Sequence, residues 1–76
     1  MNKERRKKIE HIRAALDAER TLLEEIRDQE QEYRDAMPDS IGDGEKGEKA
    51  DAAIEQLDAA LEALNEADTA LDSNEF

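Results

Sequence analysis

The sequence predicts an all-α protein: an antiparallel helical hairpin of coiled-coil type that dimerises into a four-helix bundle. Three observations predict it. Asp51–Leu71 reads DAAIEQL, DAALEAL, NEADTAL, which is three heptads in tandem with Leu57, Leu64 and Leu71 at the last place and Ile54, Leu61 and Asp68 at the fourth. Residues 2–36 contain no Gly or Pro and are dense in strong helix formers. Between these stretches lie the chain's single proline and all three of its glycines. Apolar residues alternately three and four apart make a stripe that needs a partner helix.

The first helix is expected over about 2–36. Ile9, Leu16, Leu23, Glu30 and Met37 take heptad position a, and Ile12, Glu19, Ile26 and Tyr33 take d. At ~1.5 Å per residue such a helix is roughly 50 Å long. Pro38 lacks an amide hydrogen and disfavours helical geometry at Met37, so the helix ends there. Residues 37–44 form the hinge, with turn chemistry in Asp39-Ser40-Ile41-Gly42-Asp43-Gly44. Asp43 is the expected N-cap of the second helix, at about 45–72. Glu45 suits the positive end of that helix, while Gly47 weakens its first turn and lets it fray toward Lys49. Residues 73–76 are expected to fray, with Phe76 either a loose end or a contact. The whole of 1–76 is one domain.

A short hinge makes the helices antiparallel neighbours. In the favoured register Ile9 faces Leu71, Leu16 faces Leu64, Leu23 faces Leu57 and Ile26 faces Ile54. Position e supports it independently: Arg13, Arg20, Arg27 and Arg34 run along the first helix and Asp51, Asp58, Asn65 and Asp72 along the second. Arg34 then meets Asp51, Arg27 meets Asp58 and Arg13 meets Asp72, and these pairs fix orientation more than stability. The basic segment Lys3–Lys8 lies beside the acidic end of the second helix, around Asp68, Asp72 and Glu75.

Position g differs. Ala15, Leu22, Gln29 and Ala36 in the first helix and Ala53, Ala60 and Ala67 in the second make the opposite flank small and apolar. A two-helix seam buries too little to order a chain this size, so self-association is expected through Ala15, Leu22, Ala53, Ala60 and Ala67.

Charged residues are 43% of the chain, and 22 acids against 11 bases give a net charge of −11. Such a chain does not bind nucleic acid directly; basic proteins, or proteins that hold nucleic acid, are the expected partners. No apolar stretch approaches membrane-spanning length, and no apolar run follows the basic start as in a secretory signal. The lack of cysteine fits a reducing cytoplasm.

No catalytic set can be assembled. There is one His, no Cys, and the hydroxyls are scattered; His11 sits at an outward, solvated position. Read as a calcium loop, Asp39 onward puts Ile41 and Ala50 where ligands are needed. Glu19 and Glu30 lie on the seam, but no Glu-x-x-His pair accompanies them, so no metal site follows. Gly42, Gly44 and Gly47 follow no strand and do not form a phosphate loop. No metal, cofactor or enzymatic activity is expected.

The acidic exterior remains. Asp17, Glu24, Glu25, Asp28 and Glu32 project from the first helix and Glu55, Glu62 and Glu66 from the second, with no base after Lys49. A solvated coiled-coil surface accounts for them on composition alone. The functional reading is a partner-binding face whose carboxylate rows occupy a nucleic-acid groove.

The hinge Glu32-Tyr33-Arg34-Asp35-Ala36-Met37-Pro38-Asp39-Ser40, followed after a glycine by Glu48-Lys49-Ala50-Asp51-Ala52-Ala53-Ile54 and Asp/Ala/Leu heptads, resembles small acidic helical proteins of tailed bacteriophages and prophages. Those have no known function and carry a Met-Pro hinge between two charged helices. Gly44 and Gly47 depart from that pattern. The resemblance implies a phage accessory role in the bacterial cytoplasm and transfers no active-site residues. With the charge, it leads to an expectation: a non-enzymatic protein that binds and inhibits a host nucleic-acid-handling defence protein, of the CRISPR or restriction type. The alternative is a structural or assembly adaptor with no inhibitory role.

Overall fold

In a computed structural model the chain is all-helical, with no strand among the described residues, which are 1–73 and 75–76. Helix α1 spans Lys3–Asp35, α2 is the single turn Asp39–Gly42, and α3 spans Glu45–Leu71. The rod measures 59 × 16 × 13 Å. Its radius of gyration is 17.5 Å, against about 11 Å for a compact domain of this length.

α1 begins at Asn2, whose extended backbone lets its Oδ1 accept from the Arg5 amide at 2.9 Å. Its last turn closes with the Ala36 amide donating to Glu32 O at 3.0 Å and the Met37 amide to Arg34 O at 3.2 Å. Pro38 sits in extended geometry and terminates it, as its missing amide requires.

The hinge is more ordered than turn chemistry alone predicts. The Pro38 carbonyl accepts from the Ile41 and Gly42 amides at 2.9 and 2.8 Å, nucleating α2. Asp43 closes α2 instead of capping α3: its backbone is helical (φ −82°, ψ −3°), whereas an N-cap is extended, and α3 starts one residue later than a cap at Asp43 needs. Gly44 stands at the N-cap of α3 and supplies no side-chain bond. Gly47 does not fray the helix either. It is buried, and a Cβ there would lie 1.8 Å from the Gly42 carbonyl oxygen. The glycine is what lets α3 pack against the α2 backbone, so a weak helix former sits where contact is closest.

The buried residues cluster at this hinge end: Gly42, Gly47, Ala50 and Ile54. α1 has no fully buried residue. Farther along, α3 presents half-buried Leu57, Leu61, Leu64 and Leu71 to half-buried Ile9, Leu16 and Leu23.

The expected a/d seam of α1 needs correction. Positions a and e are half-buried, whereas Ile12, Glu19, Ile26 and Tyr33 at d are exposed. Ile26 therefore does not share a core layer with buried Ile54: its exposure is 44% against 8%. The arginines at e are the physical reason. Reaching their partners on α3 turns the e row inward, and their aliphatic stems cover the seam while the charged heads meet acids at its rim. Only one row can flank a on the buried side, so d rolls outward.

The tail is a contact rather than a loose end. Arg6 Nη1 donates to the Phe76 carbonyl at 3.4 Å, and Phe76 borders a shallow cleft with Ile9 and Leu71. Asn74, within the segment expected to fray, lies outside the described residues.

Candidate functional site

Heptad spacing places one arginine every second turn of α1, and the antiparallel return of α3 places an acceptor opposite each. Arg34 Nε donates to Asp51 Oδ1 at 2.8 Å and Nη2 to Oδ2 at 3.4 Å. Arg27 repeats this with Asp58, at 2.8 and 3.4 Å. Arg20 Nη1 donates to Asn65 Oδ1 at 2.9 Å, and its Nη2 bonds Asp17 on its own helix. Arg13 spans two acids, Asp68 at 3.0 Å and Asp72 at 3.3 Å. Asp68, which interrupts the leucine stripe of α3, is thereby used: the carboxylate at the seam is answered by a guanidinium.

The bidentate geometry at Arg27 and Arg34 matches planar fork to planar carboxylate. For Arg13, Arg27 and Arg34 the hydrogen bond to Asp68, Asp58 and Asp51 respectively raises the guanidinium pKa, desolvation opposes the rise, and the nearby negative charge adds to it. These cations stay charged at any ordinary pH, and their charge is spent inside the hairpin.

No protein-family model, curated protein or solved structure matches this chain.

The acidic residues expected from the sequence divide about this ladder. All eight are exposed. Asp17 and Glu24 on α1, and Glu55 and Glu62 on α3, occupy the b rows that border the ladder on one broad face. Glu10 and Glu48 extend those rows and belong with them, although the sequence reading left them out of the partner-binding set. A shallow groove lined by Glu10, Arg13, Ala14, Asp17 and Asp68 marks where one row meets the ladder. Asp28 and Glu66 lie at f positions, on the outer edges, and Glu25 and Glu32 at c, turned toward the opposite face. The predicted set is therefore not one patch. Asp17 is partly neutralised by Arg20 and Asp28 by Arg27, whereas Glu24, Glu55 and Glu62 form no ion pair among the described residues.

The opposite broad face is apolar along most of its middle row, interrupted by Glu19 and Gln29 and edged by Glu25 and Glu32. Of the residues assigned to self-association, Ala15, Leu22, Ala60 and Ala67 are exposed and Ala53 is half-buried. Ile12, Ile26 and Tyr33 join Leu22 there, with exposures of 48%, 44%, 53% and 51%. Sequence reasoning placed Ile12, Ile26 and Tyr33 in the seam. The signal that could have moved them was available: positions d and g of α1 form a second stripe alternately three and four apart. Arginines filling e leave that stripe free.

Among the described residues no group of three His, Cys, Asp or Glu side chains is placed to hold a metal ion. No described helix is long and apolar enough to cross a membrane. Glu19 is exposed and Glu30 half-buried, and they are too far apart along α1 to form one site. His11 is exposed.

Proposed function

We propose that this chain is a non-enzymatic acidic accessory protein of a bacteriophage. In this reading it works in the bacterial cytoplasm as a homodimer arranged as a four-helix bundle. It binds a basic, nucleic-acid-handling host protein and blocks its nucleic-acid surface, with a CRISPR or restriction complex as the target class. The observation that carries the reading is the fate of the arginines. Arg13, Arg27 and Arg34 are consumed by aspartates within the hairpin. The carboxylates bordering them, Glu24, Glu55 and Glu62 foremost, face solvent and form no ion pair among the described residues.

Rows of carboxylates on a stiff rod suit a basic groove that normally tracks phosphates. The array is sparser than a duplex, which carries one charge per ~1.7 Å of axis. Binding therefore depends on several carboxylates together and weakens with salt. The hinge resemblance supplies the phage setting, and the missing nucleophile–base pair supports a binding role over a catalytic one.

The test is capture from bacterial lysate at low and high salt, with mass spectrometry of what is retained. A basic nucleic-acid enzyme retained at low salt, and lost with Glu24→Lys, Glu55→Lys and Glu62→Lys combined, supports the reading. Failure to retain any such protein at low salt removes it. The exposed apolar row of α1 favours a second reading, a structural adaptor. Under that reading the same charge reversals leave partner capture intact and Leu22→Glu abolishes it.

A further inference from the structure

We propose that the exposed d/g row of α1 is the seam of a symmetric dimer in which α1 of one copy lies antiparallel on α1 of a second, with the two-fold axis beside Glu24. The inference deepens the self-association part of the reading above and is independent of what the acidic face binds.

Four observations carry it. The row is complete and wholly exposed from Ile12 to Ala36, with three-four spacing throughout, which is the spacing of a helix-helix seam. Its polarity is palindromic. About a centre at residue 24, Leu22 faces Ile26, Glu19 faces Gln29, Ala15 faces Tyr33 and Ile12 faces Ala36. The row's two polar residues then meet each other, the Gln amide donating to the carboxylate, and the bulky Tyr33 meets a small residue. An interface made of one patch meeting itself requires such self-complementarity. Sliding the register by a heptad in either direction sets Gln29 against an isoleucine, Ile26 one way and Ile12 the other.

Charge agrees at the ends. Arg5 and Lys8 continue the row beyond Ile12, and the antiparallel arrangement carries them to the partner's hinge, with Asp39 and Asp43. A parallel pair would stack Glu19 on its own copy and the basic ends on each other. Area agrees as well. The chain exposes 5869 Å², where a compact monomer of its mass exposes about 4,700 Å². The excess of about 1,200 Å² per copy is more than the ~800 Å² that each partner contributes to a standard interface. The same two-fold lays α3 over its copy through exposed alanines such as Ala60, whose small side chains permit close approach. That completes a four-helix bundle.

The chain has no cysteine, so single cysteines report the geometry directly. At the rim, this axis sets Glu25 beside its own copy and Ala18 beside Glu32 of the other. Glu25→Cys, Ala18→Cys and Glu32→Cys, each at an exposed site, are treated with a short bismaleimide, and the uncross-linked proteins are run in sedimentation equilibrium. The expected result is a dimer mass for all three, cross-linking of Glu25→Cys alone, no self-cross-linking of the other two, and cross-linking when those two are mixed. Equal self-cross-linking at all three positions means a parallel dimer and overturns the proposal. So does a monomer mass with no cross-linking. Ile26→Glu should abolish the dimer mass and, because the hairpin seam alone buries little, lower the helicity; a dimer mass retained by this variant would place the interface elsewhere. Retained salt-sensitive partner capture by a monomer would refute the dimer while leaving the acidic-face reading standing.

Discussion

Arg27 and Asp58, 31 residues apart in the chain, meet through Nε–Oδ1 at 2.8 Å and Nη2–Oδ2 at 3.4 Å. The pair is one rung of a ladder in which heptad position e of α1 faces heptad position e of α3. Reversing one member should weaken the hairpin, because Arg27→Asp puts like charges face to face. Combining Arg27→Asp with Asp58→Arg should restore most of the loss. Thermal melts of the four proteins in a double-mutant cycle measure this, and additive losses would mean that the rung does not form.

The ladder should respond to salt and not to alkali. Pairing raises the guanidinium pKa of Arg13, Arg27 and Arg34. Stability linked to a raised base is fully present below the unfolded-state pKa and is lost only as pH rises through the still higher folded value, far above neutrality. Helicity should hold from about pH 6 to about pH 9 on this account, while about 1 M NaCl lowers the melting temperature by screening exposed pairs. Circular dichroism melts across both series check the contrast.

Gly47→Ala should destabilise although alanine is the better helix former. The propensity gain is ~1 kcal/mol, but the new methyl meets the Gly42 carbonyl, and overpacking of this kind costs about 1–3 kcal/mol. Gly44→Ser makes the opposite prediction. Its site is open apart from Ile41 O at 3.5 Å, and a serine there supplies the missing N-cap, worth a few tenths of a kcal/mol. Urea melts should show the two variants moving in opposite directions.

Ile54→Ala and Ile26→Ala separate the two seams. Ile54 is 8% exposed, and its truncation should cost about 2–5 kcal/mol, visible as lost helicity at every protein concentration. Ile26 is 44% exposed, so Ile26→Ala should change the isolated hairpin by less than about 1 kcal/mol and act on the concentration dependence of melting. Equal effects of the two variants at low concentration would restore Ile26 to the intrachain core.

Much of this fold was legible because helical periodicity is strict. Pro38 marked the turn, and the arginine and aspartate rows gave the register, since one offset satisfies every rung. Asn65 opposite Arg20 fits the same offset with an amide for a carboxylate. The roll of α1 was harder to see. Ile12, Ile26 and Tyr33 suit an a/d seam by type, and the choice between d and e as the second buried row depends on whether long cationic stems cover the leucines of α3. The hinge was misread where local chemistry competes with tertiary contact: Gly47 is a poor helix former in isolation but is required beside Gly42. Asp43 has the right type for a cap, yet α2 holds its backbone in helical geometry and leaves the extended cap position to Gly44. Of the candidate site, heptad position identified which acids face outward, but it did not divide them between two faces until the roll of α1 was known.

The most direct test of the hairpin is a pair of spin-label distances in chains diluted with unlabelled protein. With labels at Ala14→Cys and Ala70→Cys, doubling back at Pro38 predicts a separation of about one helix-helix spacing, ~10 Å plus the label arms. Labels at Ala14→Cys and Ala52→Cys should lie roughly 20–25 Å apart along the rod at ~1.5 Å per residue. A continuous helix would reverse the order, with the first pair more than about 80 Å apart and the second about 57 Å, and that result would contradict the fold, the ladder and both faces built on it.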